Sequence, residues 1–343
     1  MSPTMLIVLL ASFFLAVVNG ANDVSKGIAT LVGSAVTDIR RAIMVGAIFT
    51  GFGALAGAGF LSDTARTFGT DLLVDGVVPT PAAAIAVVVG AGLCVLLATI
   101  LAIPISTTHA LVGAMGGVGM LAFGMHSVRV GAVLLKVAIP LALSPLLAFA
   151  MTVGLTRFML AQKESGQASG RADTIVGTMS AQMVDKFAKS HWFVSCGTSF
   201  GRGMLDAPKL LALPLAAGTV SGNNELQYAL FLIIAGGMVV GSVVGGARVT
   251  KTMSERITRI GSGSGFVAAL VTALLVNAAA VTELPISTTQ VSFTAIVGTS
   301  VGAHGGMRLN MATVRRAVIA WLLTLPVAAL FAIVVYVIIS KLI

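Results

Sequence analysis

Asn19-Gly-Ala-Asn-Asp-Val-Ser-Lys26 follows the apolar run Met5-Leu-Ile-Val-Leu-Leu-Ala-Ser-Phe-Phe-Leu-Ala-Val-Val18 with no loop between them. Apolar sequence then resumes at once as Gly27-Ile-Ala-Thr-Leu-Val-Gly33. A run that stops on Asn, Asn and Asp and then continues predicts a membrane helix unwound at depth. Freed backbone survives in hydrocarbon only where it lines a protein cavity or a water-filled site, because each unpaired group facing lipid costs several kcal/mol. The stretch is therefore a candidate binding site.

Working outward, the same pattern returns far down the chain. Gly203-Met-Leu-Asp206-Ala-Pro-Lys209 aligns its Gly, Asp and Lys with Gly20-Ala-Asn-Asp23-Val-Ser-Lys26, and 206 minus 23 is 183. A second pair is Ile103-Pro-Ile-Ser-Thr-Thr-His109 and Leu284-Pro-Ile-Ser-Thr-Thr-Gln290, where 287 minus 106 is 181. Two different motifs recurring in one order at nearly one separation make the chain two copies of a single unit. Many transporters are built this way, with the substrate site at the repeat interface near the bilayer midplane.

Composition agrees. With 57% hydrophobic and 10% charged residues over 343 positions, and a mean hydropathy of +1.02, the chain lies far from soluble domains, in which about a quarter of residues are charged. It reads as a multi-pass protein of the cell (inner) membrane, with the lipid bilayer as its surroundings. The net charge of +9 is scattered over short loops, which suits positive-inside topology rather than nucleic acid. Cys94 and Cys196 form no CxxC pair and support neither a disulfide framework nor a zinc site. The first apolar run lacks a basic leader and carries the repeated motif, so it stays in the mature protein.

Apolar segments fall at residues 4–37, 42–61, 82–103, 108–123, 131–159, 191–217, 227–247, 265–284, 289–303 and 314–339. The pieces after each Ser-Thr-Thr are short for a crossing and the two motif-bearing segments are long, as expected of interrupted or re-entrant helices. Lys and Arg concentrate at 40–41, 157–189 and 248–259, which predicts a cytoplasmic side. Five crossings per half, an odd number, then set the halves in opposite orientations. The expected fold is an all-α polytopic membrane protein, an inverted-repeat bundle, with an N-terminal repeat at 1–160, a cytoplasmic linker at 161–190 and a C-terminal repeat at 191–343. Within the linker, residues 174–189 suit an amphipathic helix on the membrane surface.

The Pro-Ile-Ser-Thr-Thr motif carries its own chemistry. Pro favours a helix start, and Ser and Thr there place hydroxyls beside backbone N–H groups that lack intrahelical partners. Such an N-terminus attracts anions without any Arg. Two copies present Ser106, Thr107, Thr108, Ser287, Thr288 and Thr289 to one anion, which suits a tetrahedral oxyanion. Single copies of such residues also serve as ordinary caps or interhelical hydrogen bonds.

Asp23 and Asp206 are intramembrane acids, costly enough to suggest function. Their expected role is to hold Na+ or H+ with Asn22, which makes them the metal ligands if the coupling ion is sodium. Lys26 and Lys209, three residues on, either pair with those acids or face the substrate. Glu283 has Ala102 at the matching position and reads as a loop charge, while His109 either titrates near neutrality or packs. No nucleophile–base set, nucleotide loop or other cofactor motif is present, so the chain is not expected to be an enzyme.

At these residues the chain resembles the inorganic phosphate transporter (PiT) family. The resemblance rests on Gly20-Ala-Asn-Asp-Val24, both Pro-Ile-Ser-Thr-Thr motifs, Ser144-Pro-Leu-Leu147 and Trp321-Leu-Leu-Thr-Leu-Pro326. It implies a bundle of about ten to twelve membrane helices, commonly a homodimer, that carries phosphate with Na+ or H+. It also implies substrate and ion sites at Asn22, Asp23, Asp206 and the two Ser-Thr-Thr turns. Three departures stand out: Leu205 replaces the second motif's Asn, Thr50 and Ala269 stand where animal members have glutamates, and Lys26 and Lys209 replace residues usually neutral. The resulting expectation is a secondary active importer of inorganic phosphate working by alternating access. A sulfate permease of the same family is the alternative. A passive anion channel, a transport-derived sensor and an intramembrane hydrolase using Asp23 and Asp206 as an acid pair rank below it.

Overall fold

The computed structural model describes residues 3–57, 67–74, 77–165, 181–217 and 224–342. The chain is helical almost throughout, with a single isolated β-bridge between Leu73 and Val128 among the described residues. The first half contains α1 (Pro3–Asp23), α2 (Ser25–Gly33), α3 (Ile39–Ala56), α4 (Pro81–Ile100), α5 (Thr107–Phe123) and α6 (Ile139–Ser165). A helical turn and a π-helical stretch, Val130–Ala132 and Val133–Ala138, lead into α6. The second half contains α7 (Ala181–Ala216), α8 (Asn224–Gly245), α9 (Ser262–Val281), α10 (Thr288–His304) and α11 (Met311–Ile339). Between α8 and α9 the chain continues through Ala247–Lys251 and the π-helical Thr252–Arg256.

Local sequence explains the boundaries. Asp38 starts α3 by accepting from the backbone N–H groups of Arg40 and Arg41, both at 3.0 Å. The Arg41 N–H holds that carboxyl below its ordinary range. Thr80 caps α4 ahead of Pro81, whose missing N–H costs nothing at a helix start.

The duplication extends to helix bounds. α4 and α9 begin and end 181 residues apart, as do α5 and α10. Ala102 and Glu283, also 181 apart, both adopt positive φ, 57° and 54°, in the bends before the two Pro residues. The largest helix contacts are exchanges between halves: α1 packs on α8 while α3 packs on α7, and α5 packs on α11 while α10 packs on α6. Each pair is the other with its halves swapped, which is two-fold related packing.

Among the described residues, seven helical spans are long and apolar enough to cross a membrane, with α1 and α2 acting as one 31-residue piece. α5 and α10 are shorter, at 17 residues each, and α7 carries the buried charges described below. The chain is a multi-pass membrane protein.

The interruptions lie elsewhere than the Asn-Asp stretch. Gly20 to Asp23 stays helical, and the α1–α2 break narrows to Val24, whose φ of −56° and ψ of −31° are themselves helical. Gly203 to Lys209 sits inside the uninterrupted α7, Pro208 included. The polar side chains are tolerated there because they bond to one another and to side-chain and backbone groups of the facing segments, so the helix that carries them does not have to open. True breaks precede the Ser-Thr-Thr turns, between Ile100 and Thr107 and between Val281 and Thr288. The predicted surface helix at 174–189 lies partly outside the described residues, and from Ala181 onward the chain already belongs to α7.

The glycines of the Asn-Asp motifs are explained by packing. A Cβ on Gly20 would lie 2.1 Å from the Met238 carbonyl oxygen of α8, and one on Gly203 would lie 2.1 Å from the Thr50 carbonyl oxygen of α3. Only Gly permits the backbones to approach so closely.

Candidate functional site

The two Ser-Thr-Thr turns meet. Thr289 Oγ1 at the start of α10 donates to the Ile105 carbonyl oxygen before α5 at 2.7 Å. In each turn the serine is the N-cap: Ser106 Oγ accepts from the His109 N–H at 3.3 Å, and Ser287 Oγ from the Gln290 N–H at 3.2 Å. All six expected hydroxyl residues, Ser106, Thr107, Thr108, Ser287, Thr288 and Thr289, are buried.

Asn22 holds the first turn in shape. Its Nδ2 donates to the Ile103 carbonyl at 3.2 Å and to Thr99 Oγ1 at 3.0 Å, while its Oδ1 accepts from the Ile105 N–H at 3.3 Å. The carboxamide thus spans Pro104, which has no N–H of its own. Leu205, the matching residue 183 positions on, has no such groups, and Lys209 reaches the second turn instead, with Nζ 3.4 Å from the Ile286 carbonyl. Trp321 braces the first turn from α11, donating from Nε1 to the Pro104 carbonyl at 3.0 Å.

Around the turns lies a buried charge cluster. Lys26 pairs with Asp23, and Lys209 Nζ lies 3.2 Å from Asp206 Oδ1. Asn19 sits between the two acids: its Nδ2 is 3.2 Å from Asp23 Oδ2, 3.1 Å from Thr107 Oγ1 and 3.5 Å from Asp206 Oδ2. Arg202 completes the cluster, with Nη1 3.3 Å from Asn19 Oδ1 and Nη2 2.7 Å from Thr50 Oγ1. Arg202 is fully buried, and its Nε has no hydrogen-bond partner among the described residues. Buried donors are rarely left unmatched, which sets this N–H apart within the cluster.

The sequence-predicted acids, lysines and Ser-Thr-Thr turns are therefore one connected site. Arg202 was not expected in it; Asn19 opened the stretch read as a candidate binding site but was given no role of its own, and Thr50 was named only as a departure from the family pattern. An arginine inside an apolar segment was the available signal, since ionisable residues at such positions mark function. His109 lies one turn into α5, its Nδ1 unpaired among the described residues, beside Gln290, Trp321 and Pro145 in a cavity of about 340 Å³. Groups of three or more His, Cys, Asp or Glu placed to hold a metal are absent among the described residues. Asp23 and Asp206 already have lysine partners.

Comparison with known proteins decides the family: the profile described as "Phosphate transporter family" matches residues 19–332. The chain belongs to the phosphate transporter family. Among curated relatives, the transporter is 28% identical to a Bacillus subtilis protein described as "Probable low-affinity inorganic phosphate transporter", over 98% of this chain and 97% of that one. A Rhizobium meliloti protein with the same description is 27% identical over 97% and 96% of the two chains. A solved structure described as "The sodium-dependent phosphate transporter" superposes over all of both chains with a TM-score of 0.82 at 23% identity, which shows the shared fold. Membership makes the chain a transport protein of the membrane and not an enzyme.

Proposed function

We propose that the chain imports inorganic phosphate by secondary active transport, coupled to Na+ or H+, with the two Ser-Thr-Thr turns alternately opened to either side of the membrane. The observation that carries this is the contact between turns of opposite repeats, Thr289 Oγ1 to the Ile105 carbonyl at 2.7 Å. Two helix N-termini facing one another, with hydroxyls and the unpaired Arg202 Nε nearby, suit an oxyanion with many acceptor lone pairs. In this reading the repeats at 1–160 and 191–343, joined by 161–190, rock about the cluster, which lies near the bilayer midplane. A homodimer in the cell membrane belongs to the same proposal.

Labelled phosphate uptake into proteoliposomes, driven in turn by imposed Na+ and pH gradients and competed by sulfate, tests it. Accumulation against a gradient that phosphate competes for and sulfate does not is expected. Sulfate uptake indifferent to phosphate would make the chain a sulfate permease, and equilibration without accumulation would make it a channel.

A further inference from the structure

The acids expected to bind a coupling cation already have cations, and these are covalently part of the chain. Lys26 Nζ has three oxygen partners: Asp23 Oδ1, and the Asn22 carbonyl and Oδ1 at 2.8 Å each. Lys209 Nζ also has three: Asp206 Oδ1 at 3.2 Å, Thr108 Oγ1 at 3.2 Å and the Ile286 carbonyl at 3.4 Å. An ammonium has three N–H donors, so both are saturated. Carboxylate, carbonyl, carboxamide and hydroxyl oxygens are also the ligands that hard cations take. Both lysines are buried with their partners.

We infer that Lys26 and Lys209 are resident counter-cations that fill the places of co-transported alkali ions, so that this transporter moves its anion without Na+. The inference rests on the phosphate-carrier reading and narrows its coupling ion to the proton. Three cationic side chains, Lys26, Arg202 and Lys209, face two carboxylates, Asp23 and Asp206, and three minus two leaves the cluster with a formal charge of +1. A singly charged anion such as H2PO4−, which is HPO42− with its proton already aboard, makes the loaded cluster neutral with no alkali cation in it. In a low-dielectric interior, a neutral assembly crosses at far lower cost than a charged one. Lys209 also ties the cation function to the substrate turn, because its ammonium contacts Thr108 directly.

The other titratable groups near the cluster are His109 on α5 and His191 on α7, whose Nε2 lies 3.1 Å from Thr30 Oγ1. Glu255, in the π-helical turn that packs on α2, is exposed.

The test measures uptake of labelled phosphate into proteoliposomes, with Na+, K+ or choline as the external cation at fixed pH, together with uptake of radioactive Na+. The wild type is expected to transport equally in all three cations and to carry no Na+ with phosphate. Several-fold stimulation by Na+, or Na+ moving in step with phosphate, overturns the inference and leaves the carrier intact. Absence of phosphate uptake in every cation and at every pH gradient instead removes the carrier reading itself. In Lys26→Ala, Asp23 loses its ammonium, and transport is expected to become Na+-dependent. Lys26→Arg, which keeps the charge, is expected to stay Na+-independent. Na+-independent transport by a folded Lys26→Ala protein would mean that the ammonium is not the counter-cation. If that variant fails to fold, the wild-type cation comparison still decides.

Discussion

Arg202 Nη1 donates to Asn19 Oδ1 at 3.3 Å, and the two residues occupy the same position in the two repeats, 183 apart. The pseudo-symmetry axis therefore runs between an arginine and an asparagine. One half supplies the extra positive charge, and the other supplies an amide that accepts from it and donates to Asp23. Matched arginines would repel each other across the axis, and matched asparagines would leave two carboxylates with the lysines alone.

Replacing Arg202 follows from that geometry. Arg202→Leu strands Asn19 and Thr50 and removes a buried cation from beside two acids. Leaving a buried hydrogen-bonding group without its partner costs about 1–3 kcal/mol for each group stranded. Arg202→Lys keeps the charge but cannot span both partners as a planar fork does. The expected outcome is a folded Arg202→Lys protein whose phosphate uptake falls by roughly tenfold or more, equivalent to about 1.4 kcal/mol. Thermal unfolding in detergent beside proteoliposome uptake separates folding loss from transport loss, and wild-type uptake by Arg202→Lys would contradict the assignment.

Thr50 accepts from Arg202 Nη2 at 2.7 Å. Thr50→Val is nearly isosteric and removes the acceptor, leaving a buried guanidinium N–H unmatched at a cost of about 1–3 kcal/mol. Thr50→Ser keeps the oxygen. A lower unfolding midpoint is expected for the valine variant and a near-normal one for the serine variant. Equal midpoints for the two would show that the hydroxyl does not matter.

The repeat, the helix positions and the paired turns were legible in the sequence because each is written twice. Duplicate motifs at 183 and 181 residues are statements about three dimensions made in one. The unwinding predicted at Asn22 and Asp23 was not found, because their side chains find partners with the helix intact: Asn22 meets Thr99 and the opened backbone of the facing turn at Ile103 and Ile105, and Asp23 meets Lys26, Asn19 and Thr107. A polar run in an apolar segment announces a need for partners without saying whether backbone or side chain supplies them. Arg202 was overlooked for a related reason. The motif alignment begins at Gly20 and Gly203, and the informative mismatch, Asn19 against Arg202, lies one residue earlier.

Gly203→Ala tests the exchanged packing of α3 on α7. The new methyl carbon would meet the Thr50 carbonyl oxygen at 2.1 Å and the Ala54 nitrogen at 2.8 Å. These are backbone atoms that no rotamer change can move. Overpacking of this kind costs about 1–3 kcal/mol, and here it also shifts the residue that carries Thr50 Oγ1. A lower unfolding midpoint together with reduced uptake is expected. Gly236→Ala is the control, since its added Cβ meets nothing within 4 Å, and it should match the wild type in both measurements.

The serines of the two turns have two roles that can be separated. Ser106 and Ser287 each cap a helix by accepting an N–H, at 3.3 Å and 3.2 Å, and each keeps a hydroxyl proton that an anion can accept. Removing a cap costs about 1 kcal/mol of stability, whatever the ligand. Losing a donor to phosphate should in addition raise KM, because a charge-assisted hydrogen bond is among the stronger ones. Asp substituted for Ser keeps the cap but places a negative charge where the anion sits. The expected order is therefore a modest loss of stability and a raised KM for Ser287→Ala, and a retained melting point with abolished uptake for Ser287→Asp, with the same pattern at Ser106. Uptake kinetics and unfolding midpoints on the four proteins check it. A Ser287→Asp protein that still carries phosphate would place the anion away from this helix start and reduce the serines to caps.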